Sequence, residues 1–102
     1  MKKYILALTI PLSFMATANA ADGKALYTQK LCQTCHGAEG KAPIAPMYPK
    51  LNGQSATYLL NQMKDIKSGK RNNGLSMTMK PMMAAVSESD MAAIADYLAN
   101  VK

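Results

Sequence analysis

Cys32-Gln33-Thr34-Cys35-His36 holds both cysteines of the chain and its only histidine. Cys-x-x-Cys-His is the attachment pattern for a c-type haem, and each position has a physical task. The two thiols add across the two vinyl groups of the porphyrin, with the two-residue spacer setting their separation. His36 follows directly and is held beneath the iron as the proximal ligand. A thioredoxin-like redox pair would need a preceding strand and a βαβ pattern, and neither is visible around the motif. A Cys32–Cys35 disulfide would close too small a loop to stabilise much. Zinc takes four ligands, and the chain offers two cysteines and one histidine. The expected cofactor is therefore one covalent haem c.

Upstream of the motif, Met1 to Ala20 has a basic start (Lys2, Lys3), an apolar run from Ile5 to Met15 and a small-residue end, Ala18-Asn19-Ala20. That is the pattern of a cleaved secretory signal peptide, and the apolar run is shorter than the roughly 20 residues a membrane helix needs. The expected organisation is a signal peptide over 1–20 and a single domain over 21–102, exported to the periplasm without stable membrane insertion. A domain this small builds only a marginal core, and a tethered haem would supply most of the rest. It leaves no room for a nucleotide-binding fold beside a substrate domain. The chain carries 12 basic and 6 acidic residues, a net charge of +6, which falls to +4 without Lys2 and Lys3. That balance suits docking to acidic protein surfaces. The basic residues are spread along the chain, which speaks against nucleic acid.

Three helical segments separated by loops are expected, and no stretch reads as a strand. The first runs from the N-cap Asp22 to the cysteines, with Leu26, Tyr27 and Leu31 on one side. Pro43, Pro46 and Pro49, with Gly37, Gly40 and Gly53, make residues 37–53 an irregular loop. Ser55 caps a second helix reaching Ser68, with Gly69 as its stop. Leu59, Met63 and Ile66 form its buried stripe, while Lys64, Asp65 and Lys67 are expected to face water. Lys70 to Pro81 reads as a second loop. Ser87, with Asp90 three residues later, opens the closing helix, whose buried stripe is Met91, Ile94, Ala95 and Leu98.

An electron-carrying haem needs its second axial position filled, and no second histidine exists, which leaves methionine sulfur, lysine or an open site. A thioether in that position favours the ferrous state and raises the potential. Met63 and Met91 lie on core stripes and read as packing residues. Met47 lies in the loop expected to support His36. Met77, Met79, Met82 and Met83 remain, placed before the last helix. A loop lets one thioether reach the iron without breaking a helix, which favours Met77 and Met79. Spacing does not choose between them.

Taken together, these residues resemble a class I c-type cytochrome: the small bacterial monohaem cytochromes, or one domain of the two-haem periplasmic ones. The resemblance spans Gly23 to Val101. It rests on Gly-Lys-Ala-Leu-Tyr from Gly23, on Cys32-x-x-Cys35-His36-Gly37-Ala38-Glu39-Gly40, and on Tyr48-Pro49-Lys50-Leu51-Asn52-Gly53-Gln54. Tyr58-Leu59, Gln62-Met63, Gly69-Lys70-Arg71 and Ser87-x-x-Asp90 extend it. The resemblance implies an all-α cytochrome c fold, three main helices with long loops wrapped around one covalent haem. It implies terminal helices that cross, setting Gly23 and Tyr27 against Tyr97 and Leu98. It places the carbonyl that orients the haem histidine on Pro49, with Pro46 as the fallback. Counted back from Ser87, the axial methionine falls on Met79, ahead of Met77 and then Met82. The cofactor-binding set is thus Cys32, Cys35, His36, Met79 and Pro49, with His36 and Met79 on the iron. Tyr48, Arg71 and Asn72 are candidates for hydrogen bonds to a haem propionate.

The implied function is periplasmic electron transfer by a monomer in a respiratory chain, without catalysis. The expected partners are redox proteins with acidic docking surfaces, a terminal oxidase or reductase among them. Lys24, Lys30, Lys41, Lys50 and Lys80 are candidates to ring the haem edge and steer such encounters. The alternative is a haem c subunit of a periplasmic dehydrogenase or oxidoreductase complex. Catalysis at the haem itself would need an open sixth site and distal acid–base groups.

Overall fold

The computed structural model describes residues 22–102 and contains, among these residues, five α-helices and no strand. The expected signal peptide lies outside the described residues. The first helix, α1, spans Gly23–Gln29 and is capped by Asp22, whose Oδ1 accepts from the backbone amides of Lys24 and Ala25 at 3.0 and 3.3 Å. It ends sooner than expected. Leu31 adopts φ 64°, its amide donates to the Thr28 carbonyl (3.0 Å), and the Cys32 amide donates to the Tyr27 carbonyl (3.1 Å). This is a Schellman stop built without its usual glycine, which is why the sequence does not announce it. The break turns Leu31 outward, 52% exposed, away from the buried Tyr27. A single turn, α2 (Gln33–His36), then carries the motif.

Residues 37–53 form the expected irregular loop, including a short 3-10 turn at Ala38–Gly40. It folds back on itself through Leu51 and Asn52 amides on the Gly40 carbonyl (2.8 and 3.3 Å). Helix α3, Ala56–Ser68, begins and ends as read. Ser55 Oγ accepts from the Tyr58 amide at 3.1 Å, and Gly69 at φ 87° supplies the left-handed stop.

The largest departure is α4, Ser76–Met83, in a stretch read as loop up to Pro81. Three local signals hid it. Its N-cap is Leu75, with no side-chain cap. Asn72-Asn73-Gly74 precedes it, and Pro81 lies inside it, lacking the N–H that would pair with the Met77 carbonyl. Packing overrides those local costs, because α4 lies against α3 and sends Met83, 3% exposed, into the core, with Met79 packed against it. Helix α5, Glu88–Ala99, starts at Ser87, whose Oγ accepts from the Asp90 amide at 3.1 Å.

The core is where the helices meet: Tyr27 from α1, Leu59, Met63 and Ile66 from α3, Met83 and Val86 around the end of α4, and Met91, Ile94, Ala95 and Leu98 from α5. Helices α1 and α5 cross at Gly23. A Cβ there would lie 2.2 Å from the Ala93 carbonyl oxygen and 2.6 Å from Tyr97 Cβ, so only glycine allows so close an approach. One turn on, the Tyr27 and Tyr97 rings pack with centroids 5.9 Å apart. Among the described residues no helix is long and apolar enough to cross a membrane.

Candidate haem site

The site begins at the break after α1, which sets Cys32, Cys35 and His36 on one helical turn. The turn is held from two sides. Tyr27 Oη donates a buried 2.6 Å hydrogen bond to the Gly37 carbonyl, and the Ile44 amide donates to the Cys35 carbonyl at 3.1 Å. The motif is thereby fixed both to α1 and to the loop that follows it.

His36 is buried, 7% exposed. Its Nδ1 lies 2.9 Å from the Pro49 carbonyl oxygen. A carbonyl only accepts, so Nδ1 carries the proton and donates, which leaves the Nε2 lone pair free. Pro49, and not Pro46, supplies this carbonyl. Burial pushes the His36 pKa below its ordinary value, opposed by the Pro49 hydrogen bond, so the ring is neutral at pH 7 and able to ligate a metal. The Tyr48 ring meets the His36 ring edge-on, with centroids 6.4 Å apart.

Both cysteine thiols are free. Burial pushes the Cys32 thiol up to about 11. A catalytic dithiol needs the opposite, a depressed pKa that keeps a thiolate at hand. The donor set fits a c-type haem: two free thiols three residues apart, and beside them a neutral, oriented imidazole. The surroundings fit as well, since Leu31 and Ile44, which flank the motif at Cys32 and Cys35, keep large apolar side chains exposed, of the kind a porphyrin would cover.

The candidate axial methionines all lie on or beside helix rather than in a loop, which removes the flexibility that set Met77 and Met79 apart. Helix α4 separates them differently. Met79 packs partly buried against the core, while Met77 and Met82 are 52% and 43% exposed and Met83 is wholly core. Met47 is exposed, and Met63 and Met91 are buried core residues. Lys30, a candidate for the haem edge, donates from Nζ to the Ala85 carbonyl at 2.9 Å, and Lys67, expected to face water, donates from Nζ to the Val86 carbonyl at 2.6 Å. No sequence signal marks these contacts, because they join residues 55 and 19 positions apart.

The family model for cytochrome c matches residues 20–102. The chain belongs to the cytochrome c family. Family members hold haem c covalently through the pattern that Cys32, Cys35 and His36 display here. The chain is 41% identical, over its whole length, to half of cytochrome c4 from Pseudomonas aeruginosa. It is 46% identical to cytochrome c-554(548) from Halomonas halodenitrificans over 65% of this chain and 78% of that protein. A third relative, the thiosulfate dehydrogenase electron acceptor of Stutzerimonas stutzeri, is 40% identical over 79% of this chain and 39% of its own length. This cytochrome c chain thus spans about half the length of the cytochrome c4 it matches.

Proposed function

We infer that the chain is a periplasmic one-electron carrier, with one haem c attached through Cys32 and Cys35 and ligated by His36 and Met79. The observation that carries this reading is the buried 2.9 Å hydrogen bond from His36 Nδ1 to the Pro49 carbonyl beside two free thiols. It orients the imidazole, raises its basicity and leaves Nε2 as the donor. Held by Cys32, Cys35, His36 and Met79, a haem would supply ferric–ferrous exchange. The residues around it keep reorganisation small: Tyr27 anchors the motif turn, Pro49 fixes the ring and the α3–α4 packing holds Met79.

Met79 is favoured over Met77 and Met82 because it faces the packed side of α4, where a ligand is held rather than free to sample solvent. Cleavage after Ala20 and a monomeric carrier complete the reading. Contacts with acidic redox partners are small and transient, with on-rates that fall with salt.

One relative favours a second reading. The name of the Stutzerimonas stutzeri protein makes it the electron acceptor of a thiosulfate dehydrogenase, and on that pattern this chain is the haem c partner of a periplasmic dehydrogenase. Absorption spectra of the exported protein, oxidised and reduced, with carbon monoxide added to the reduced form, test the principal reading. A far-red thioether-to-ferric band with no carbon monoxide shift supports His/Met ligation and a carrier. Ready binding of carbon monoxide overturns it in favour of an open-site function. Size-exclusion chromatography of native extract separates the two carrier readings, since a permanent subunit elutes with its enzyme.

A further inference from the structure

The link between α4 and α5 is held from two sides by ammonium groups. Lys30, the C-cap of α1 and two residues before Cys32, reaches the Ala85 carbonyl at 2.9 Å. Lys67, in the last turn of α3, reaches the next carbonyl, Val86, at 2.6 Å. Both carbonyls lie in the link just past the end of α4, and neither accepts a backbone hydrogen bond. Val86 is itself core, 1% exposed, so the joint cannot shift without disturbing packing. Charge-assisted hydrogen bonds to such carbonyls are the stronger kind. Long flexible side chains lose rotamer freedom in making them, and neither lysine has a carboxylate partner among the described residues.

We propose that Lys30 and Lys67 are positioning residues for the arm that carries the sixth ligand. The inference rests on the reading of His36 and Met79 as axial ligands. Helix α4 bears Met79 four residues before Met83 and reaches the joint at Ala85 and Val86 within three residues of its end. Lys30 connects that joint directly to the turn bearing Cys32, so the proximal and distal attachments share one brace. Lys67 connects it to α3, the helix on which α4 packs. With the ammonium groups in place, the C-terminal end of α4 cannot swing outward, and the Met79 thioether stays where the core holds it. Met79 itself contributes the sulfur, while the lysines set how seldom it leaves.

The test is ligand exchange in the ferric holoprotein. Saturating imidazole is added to Lys30→Met, Lys67→Met, the double variant and Lys67→Arg, and loss of the far-red thioether band is followed by stopped flow. At saturation the rate is that of methionine release. Methionine keeps the aliphatic stem while removing the charge. Lys67→Met is expected to release the thioether about tenfold faster, the scale of one charged hydrogen bond. Lys30→Met is expected to act in the same direction, and Lys67→Arg to restore most of the wild-type rate. Lys41→Met, at an exposed lysine paired with Glu39, is the control. Urea unfolding of each variant separates bracing from general stability. Exchange rates within about twofold of wild type overturn the proposal, even where stability falls. A wild-type protein lacking the thioether band overturns the axial reading first, and the brace with it.

Discussion

Tyr27 and Gly37 are joined by a buried hydrogen bond of 2.6 Å, hydroxyl to carbonyl, across the break that ends α1. The bond ties the first helix to the residue immediately after the haem histidine. It also makes a core phenol part of the support of the site, so the stability of the domain and the geometry of the motif share one atom pair.

Replacing Tyr27 with phenylalanine is expected to cost about 1–3 kcal/mol, since the Gly37 carbonyl loses its buried donor. Urea unfolding measures it. The same residue sets an alkaline limit. Burial raises the Tyr27 pKa well above its ordinary value. A tyrosine in the unfolded chain ionises near pH ~10 while the folded one resists. Its contribution is therefore complete below that pH and is lost as pH rises beyond it. The wild-type unfolding midpoint should fall above about pH 10. Tyr27→Phe should flatten that limb, leaving the slope due to Tyr97, whose phenol burial also raises.

At the crossing of α1 and α5, Gly23→Ala places a methyl group 2.2 Å from the Ala93 carbonyl oxygen. The obstacle is backbone, which cannot rotate away, so the helices must separate. A loss of about 1–3 kcal/mol is expected, read as a lower thermal midpoint. A variant as stable as wild type would show that the two helices are not in contact at this point.

The methionines of α4 give a spectroscopic prediction. Met79→Ala should abolish the far-red band and open the reduced protein to carbon monoxide. Met77→Ala and Met82→Ala, at exposed positions, should retain the band and exclude carbon monoxide. Loss of the band in Met77→Ala alone would move the axial role to Met77.

Glu39 sits at φ 59° in the 3-10 turn after the motif, and its ion pair with Lys41 is long (3.8 Å) and exposed. A left-handed backbone costs a non-glycine residue of order 1 kcal/mol, and exposed pairs of this kind contribute little. Glu39→Gly is therefore expected to be stabilising by about 0.5 kcal/mol, net of the greater freedom of glycine in the unfolded chain. A fall in the urea midpoint would mean that the carboxylate does more than solvate the turn.

Elements whose ends are chemically marked were legible in the chain. Asp22, Ser55, Gly69 and Ser87 cap helices because their side chains, or the lack of one, act within three residues, and the stripes of α3 and α5 follow from helical period alone. The break at Leu31 and the helix α4 were not legible. Leu31 holds a conformation that local preference opposes, and α4 runs through Pro81 with no N-cap. At Leu31 the turn is held by the Leu31 and Cys32 amides on the Thr28 and Tyr27 carbonyls, whereas α4 is held by burial of Met83 against residues distant in sequence.

The same division holds at the site. The donor chemistry is written along the chain: two thiols and an imidazole at fixed spacing, with no other histidine. Packing of the folded chain settles which carbonyl accepts from His36, which face of α4 buries Met79, and that Lys30 and Lys67 grip the joint behind it. Bond connectivity and helical period are properties of neighbours along the chain. A hydrogen bond from Lys30 to Ala85 forms only after several helices have packed, because packing is what brings residues 55 positions apart within 2.9 Å.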